Sequence, residues 1–281
     1  MAPEGTQTPG PQDLPPARPP LEKTVHIDAP IETVWKAISQ GKEMARWFTL
    51  DARITPGEGS DEGRAGRIWL SFGPGMEGEA PLAAFEKNRR LGWVEDHGTG
   101  RLMSVDFHLE PADGGTVVRL VQSGFGPEAK WDDYYDGVDG GWSFFLLNLK
   151  HYVEHHWTTP RACVWRRHKV SGSREEVWAQ LFSPAGLGLP GADEKEVGQP
   201  VSLQLGDLAM PGLVLLNRPH RHFASTVPRR NDGLVFVEME GAGEAWHLGV
   251  WISLYGEARA GADEVGAALG HTLDSLFPPI E

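Results

Sequence analysis

Two histidines one helical turn apart are the first residues in this chain that could do chemistry. His151-Tyr152-Val153-Glu154-His155 has the His-x-x-Glu-His spacing of one class of zinc protease, so His151 and His155 could reach a single metal. The competing reading is a solvated helix end. Tyr152 and Val153 belong to an apolar stripe, and His155 and His156 fall in the last turn, where the helix dipole favours cations. No third ligand helix is evident, and neither a metal nor a cofactor is expected.

Other candidates are weighed in the same way. His220 and His222 are two apart on a predicted strand, so they share a face; with Arg218, Arg221 and Arg229-Arg230 nearby, they offer a metal or anion site or simply an exposed strand face. Asp106 and His108 alternate with Met103, Val105, Phe107 and Leu109. If the apolar set faces inward these two pair on the surface, and in the opposite orientation they become a buried acid–base pair, with Asp96 and His97 as further candidates. Cys163, the single cysteine, sits in a predicted strand and reads as a buried inert thiol. No Gly-x-Ser-x-Gly elbow, phosphate loop or dinucleotide fingerprint occurs, so no catalytic residue is assigned.

What remains is apolar. Trp47, Phe48, Phe72, Phe107, Trp142, Phe145 and Leu146 are the expected ligand-binding set, against the alternative of a plainly packed core. A cavity differs from a core by unfilled volume, on the order of several hundred cubic ångströms.

The elements that must carry these residues follow from periodicity. Val25, Ile27 and Ala29 alternate with polar residues as a strand does; Ile31, Val34, Trp35 and Ile38 then form one helical face, opened by Pro30 and ended by Gly41. A short helix fits Glu43 to Phe48. Strand runs separated by Pro56-Gly57, Pro74-Gly75 and Pro111 to Gly115 read as an antiparallel meander up to Phe125. The spacing of Trp142, Phe145, Leu146, Leu149, Tyr152 and Val153 predicts a long helix, opened by Asp139-Gly140-Gly141 and closed before Pro160.

The pattern then repeats. Set 143 residues apart, Ile27 falls on Val170, Glu32 on Glu175, Val34 on Val177, Trp35 on Trp178 and Ile38 on Leu181. The second half again offers strands and ends in a helix through Val265, Leu269, Leu273 and Leu276, with a Gly/Pro-rich loop from Pro184 to Pro200 in place of the short helix. The expected organisation is a Pro-rich disordered tail at 1–20, a first domain at 21–157 and a smaller, divergent second domain at 162–281. A chain of 281 residues suits two domains of about 130 residues each.

Composition narrows the partners. A net charge of −13 argues against nucleic acid and against an anionic membrane surface. One cysteine permits no internal disulfide, and no apolar run reaches the ~18 residues of a membrane span. With no signal-peptide pattern at the N-terminus, a cytoplasmic protein is expected.

The first half resembles the activator-of-Hsp90-ATPase-like branch of the START/Bet v 1 (SRPBCC) superfamily. The resemblance rests on Val25 to Trp35 with Ala29-Pro30, Met44-Ala45-Arg46-Trp47-Phe48, Gly66-Arg67-Ile68 and Arg90-Leu91-Gly92-Trp93. It continues through Gly115 to Leu120, Gly124-Phe125, Gly141-Trp142, Leu146, Leu149 and Tyr152-Val153-Glu154, roughly residues 21–156 in all. It implies an α+β fold of two tandem helix-grip domains, each an antiparallel sheet wrapped around a long C-terminal helix. Such a fold implies a cavity between sheet and helix, and the function expected is binding of a hydrophobic small molecule without catalysis. The alternatives are a polyketide cyclase or hydratase-like enzyme of the same superfamily, and a protein-interaction or chaperone-associated module with a protein partner.

Overall fold

A computed structural model describes residues 18–57, 66–96, 101–241 and 245–278. The tail expected at 1–20 lies outside these residues up to position 17, as does His97. The fold is α+β, with two antiparallel sheets of seven and six strands and their helices, in the tandem helix-grip class. The chain divides into two compact units. One holds the described residues up to Gly41 together with Asp51–Trp131; the other holds Lys42–Leu50 and everything from Asp132 onward.

The first unit contains β1 (Leu21–Ile27), α1 (Ile31–Ser39), β2 (Asp51–Pro56), β3 (Gly66–Ser71), β4 (Glu77–Glu86), β5 (Arg90–Asp96), β6 (Leu102–Ala112) and β7 (Gly115–Ser123). Its strands are ordered β1-β7-β6-β5-β4-β3-β2, a meander closed by the return of β1 to β7. The alternation seen in the sequence is the alternation of burial: Met103, Val105, Phe107 and Leu109 are covered on β6, and Val118 and Leu120 on β7. α1 packs on β6 and β7 through Val34, Trp35 and Ile38, and Trp35 meets Phe85 edge to face at 5.2 Å. Gly41 does not end α1, which stops at Ser39. Gly41 opens α2 (Gly41–Met44) and must be glycine because a Cβ there would lie 2.2 Å from the Ala52 carbonyl oxygen.

The second unit contains α3 (Asp132–His155), β8 (Arg161–Ser171), α4 (Arg174–Leu181), β9 (Pro200–Leu205), β10 (Leu208–Arg218), β11 (His222–Val227), β12 (Gly233–Glu240), β13 (Ala245–Tyr255) and α5 (Ala262–Leu276). Strand order is β8-β13-β12-β11-β10-β9. Ser173 and Glu176 form a reciprocal capping box at the start of α4. α5 packs on β8 and β9, the two edge strands, so the sheet curls around it. Val235, Val237, Val250 and Ile252 face that helix in one core with Val265, Leu269 and Leu273.

The opposite face of this sheet is covered as well, by α3, which packs on β12. The helix begins at Asp132, upstream of the Asp139-Gly140-Gly141 opening that the sequence suggested, so Gly140 and Gly141 lie inside it. Asp132 and Asp133 in its first turn suit the positive end of the helix dipole. Glycine weakens a helix interior by roughly 0.5–1 kcal/mol relative to alanine. Here close packing outweighs that preference, since a Cβ on Gly140 would sit 3.0 Å from His222 Nε2.

Candidate functional site

The inward face of α3 is a run of rings in contact. Phe144 stacks on Phe236 of β12 at 4.7 Å and tilts against Trp251 of β13 at 5.2 Å. Phe145 meets Trp251 edge-on at 5.8 Å and Phe48 at 4.7 Å. Phe48 lies flat on Trp142 at 5.1 Å and on Trp47 at 5.3 Å. Of the expected ligand-binding set, the second unit therefore brings together Trp47, Phe48, Trp142 and Phe145, and Leu146 is buried on the same helix. Phe72 and Phe107 belong to the first unit. Phe107 is buried on β6 against Trp93, 6.0 Å away, and Phe72 follows β3, with β4 and β5 between the two strands.

Segment 42–50 is fixed to the second unit by buried polar contacts. Arg46 pairs with Glu43 at 2.8 Å, and the Tyr152 hydroxyl donates to the same Glu43 carboxylate. Asn148 donates to the Trp47 carbonyl at 2.5 Å and accepts from the Tyr255 hydroxyl at 2.9 Å. Burial pushes the Tyr152 phenol up to about 12 and raises that of Tyr255 as well, so both remain hydrogen-bond donors at neutral pH.

A polar pair sits under this aromatic wall. Glu238 of β12 and His222 of β11 are direct cross-strand partners, 2% and 4% exposed. His222 lies nearly parallel to the Phe236 ring at 5.7 Å. Trp251 donates its indole N–H to Glu238 Oε1 at 2.5 Å, and the Glu240 carboxylate lies near enough to hydrogen-bond with the protonated Glu238. Two glycines make room for the pair. A Cβ on Gly249 would lie 2.5 Å from Glu238 Oε1, and one on Gly140 would lie 3.0 Å from His222 Nε2 and 3.9 Å from Glu238 Oε2. Burial first, and then the neighbouring Glu240 charge, push the Glu238 carboxyl well above the usual carboxylate range. A carboxylic acid that keeps its proton can donate a hydrogen bond to a carbonyl or enol oxygen, or hand that proton on.

The sequence did not single out Glu238, although a signal was present. Leu234-Val235-Phe236-Val237 is apolar without alternation, the pattern of a strand covered on both faces. The next residue along such a strand must also be buried.

The other candidates separate cleanly. His222 is buried rather than on an exposed strand face, because α3 covers that side of the sheet. His220 stands in the preceding turn at φ 61° and meets Trp178 edge-on at 5.8 Å, so the two histidines form no common site. Asp106 pairs with Arg90 at 2.8 Å on the face opposite the buried Met103–Leu109 set, and Asp96 is exposed. Glu154 pairs with Lys150 at 2.5 Å and His155 is exposed, which dissolves the protease-like spacing. Cys163 lies on β8, with its thiol pushed up by burial and so poorly suited to nucleophilic attack. No helix of the described residues is long and apolar enough to cross a membrane.

No curated protein matches the chain. Solved structures do. The Aha1 dimer of Colwellia psychrerythraea is 21% identical over 49% of this chain and 97% of its own, with a TM-score of 0.40. BH1534 of Bacillus halodurans is 26% identical over 49% and 99%, with a TM-score of 0.40. The di-domain ARO/CYC protein BexL from the BE-7585A biosynthetic pathway is 15% identical over 94% and 100%, with a TM-score of 0.44. The model of the activator of Hsp90 ATPase homolog 1-like protein matches residues 28–154, a stretch that runs from α1 through nearly all of α3. The match covers less than half of the chain, and over that stretch the chain is similar to the activator of Hsp90 ATPase homolog 1-like family.

Proposed function

We propose that the protein binds an apolar or aromatic small molecule against the ring-lined face of α3 and the second sheet. Glu238 carries this reading. A buried carboxyl that keeps its proton, set among rings, can offer a hydrogen bond to a polar group of a bound molecule. Apolar burial would supply the affinity and Glu238 the orientation. Trp47, Phe48, Trp142, Phe145 and Leu146 form the proposed apolar wall; Phe72 and Phe107 belong to the first unit and take no part in it.

The test is native mass spectrometry of the purified full chain, followed by denaturing extraction. The expected result is a bound mass of roughly a few hundred daltons, the size such a site encloses. Glu238→Gln and Phe145→Leu should each weaken its retention. A clean apo mass, with no uptake from a panel of apolar and aromatic probes, overturns the proposal and shifts the weight to a protein partner.

A second reading rests on the same two residues. A protonated carboxyl beside an imidazole is the titratable pair that cyclase or hydratase chemistry requires, with Glu238 as proton donor and His222 as acceptor. Turnover of the extracted molecule that is lost in Glu238→Gln while binding persists would separate catalysis from carriage.

A further inference from the structure

The end of α3 brings two buried imidazoles to one point. His151, in the last helical turn, and His156, just past it, are each 5% exposed. Their Nε2 atoms lie 2.6 Å and 2.9 Å from the same main-chain oxygen, that of Asp232. The Asp232 carboxylate turns toward them as well, with Oδ2 3.8 Å from His151 Nε2. One ligand atom from each of the three residues fits within a span of 4.8 Å.

The surroundings hold this arrangement in place. His156 lies flat on the Tyr255 ring, 3.9 Å away and tilted by only 6°. Asn231 and Asp232 both adopt left-handed backbone, at φ 51° and 50°, and Asn231 Nδ2 donates to the Tyr255 carbonyl at 3.1 Å. The turn is therefore tied to the same tyrosine that orients the imidazole. In the metal-free chain each Nε2–H donates to the Asp232 main-chain oxygen, so a metal would take the place of these two protons, which a neutral imidazole can carry on Nδ1 instead.

We propose that His151, His156 and Asp232 form a site for one divalent cation of the Zn²⁺, Co²⁺ or Ni²⁺ type. Two imidazole nitrogens and one carboxylate oxygen would ligate it, leaving a further position for water. That donor set suits borderline metals rather than Ca²⁺ or Mg²⁺. Ligand atoms around a tetrahedral zinc stand about 3.3 Å apart, given bonds of about 2.0 Å. The 3.8 Å separation is close to that, and the Asp232 side chain, 38% exposed, is free to close it. The site uses His156 and not His155, so it differs from the spacing that the sequence offered. It is also separate from Glu238 and His222 and does not depend on what binds there.

Cobalt titration of the metal-free full chain tests this, read by Co²⁺ visible absorption and by native mass. The expected result is one Co²⁺ per chain, with the intense bands of low coordination number, displaced by Zn²⁺. Asp232→Asn and His156→Gln should each weaken binding at least ~tenfold, and His155→Gln should leave it unchanged. Asp232 sits on a half-exposed turn, so its variant remains informative if His156→Gln fails to fold. No Co²⁺ uptake by the wild type overturns the proposal. So does binding that survives Asp232→Asn, or binding that is lost in His155→Gln.

Discussion

Replacing Glu238 by glutamine should change how stability depends on pH, and the sign follows from the direction of its shift. In the unfolded chain a glutamate loses its proton near pH ~4.3. In the fold, burial and the Glu240 charge hold the proton to well above that value. Between the two pKa values the native state keeps a proton that the unfolded state has released. Stability is therefore fully present below the unfolded pKa and is lost as pH rises through the window. One proton sets the limiting slope at about 1.4 kcal/mol per pH unit. For a protein of this size that corresponds to roughly 3–6 °C of Tm per pH unit. The amide cannot ionise, yet its oxygen can still accept from Trp251 Nε1, and its NH₂ can donate to Glu240 as the protonated carboxyl does. The assay is thermal unfolding of both proteins from pH 4 to 9, followed by near-ultraviolet circular dichroism. Groups distant from Glu238 are common to both and cancel in the difference, whereas Glu240, which is coupled to Glu238, adds to it. The variant should match or trail the wild type at pH 4 and gain steadily on it toward alkaline pH. Parallel curves would refute the claim that this carboxyl is held protonated by burial.

Two neighbouring glycines should respond in opposite ways. Gly140→Ala places a methyl group 3.0 Å from His222 Nε2 and should lower stability by about 1–3 kcal/mol in urea unfolding. Gly141→Ala meets only the Phe145 ring at 3.5 Å and should raise stability by about 0.5–1 kcal/mol through helix propensity. Tyr255→Phe strands the Asn148 side-chain oxygen and should cost about 1–3 kcal/mol, measured in the same assay.

These predictions draw on features that were readable from the sequence to different degrees. Alternation on β6 and β7, and the helical spacing of Val34, Trp35 and Ile38, are local consequences of which face is covered, so they could be read without a structure. The start of α3 could not. Gly140-Gly141 looks like a helix opening to any propensity argument, and only the closeness of His222, 82 positions further on from Gly140, makes glycine the right residue inside the helix. The same holds for ligand assignment. Periodicity shows that α3 is apolar over much of its circumference but not which sheet its rings meet, so Phe145 stood out in the sequence while its partner Trp251 did not.

His155 and His156 make the point most sharply. Spacing along the helix favours His155 as the partner of His151. The turn at Asn231-Asp232 and the ring of Tyr255 select His156 instead, and both arrive from strands far along the chain. Chemistry carried within one element can be read from spacing alone, whereas chemistry assembled across elements needs the register that brings them together. In this protein both the Glu238–His222 pair and the His151–His156–Asp232 cluster are of the second kind.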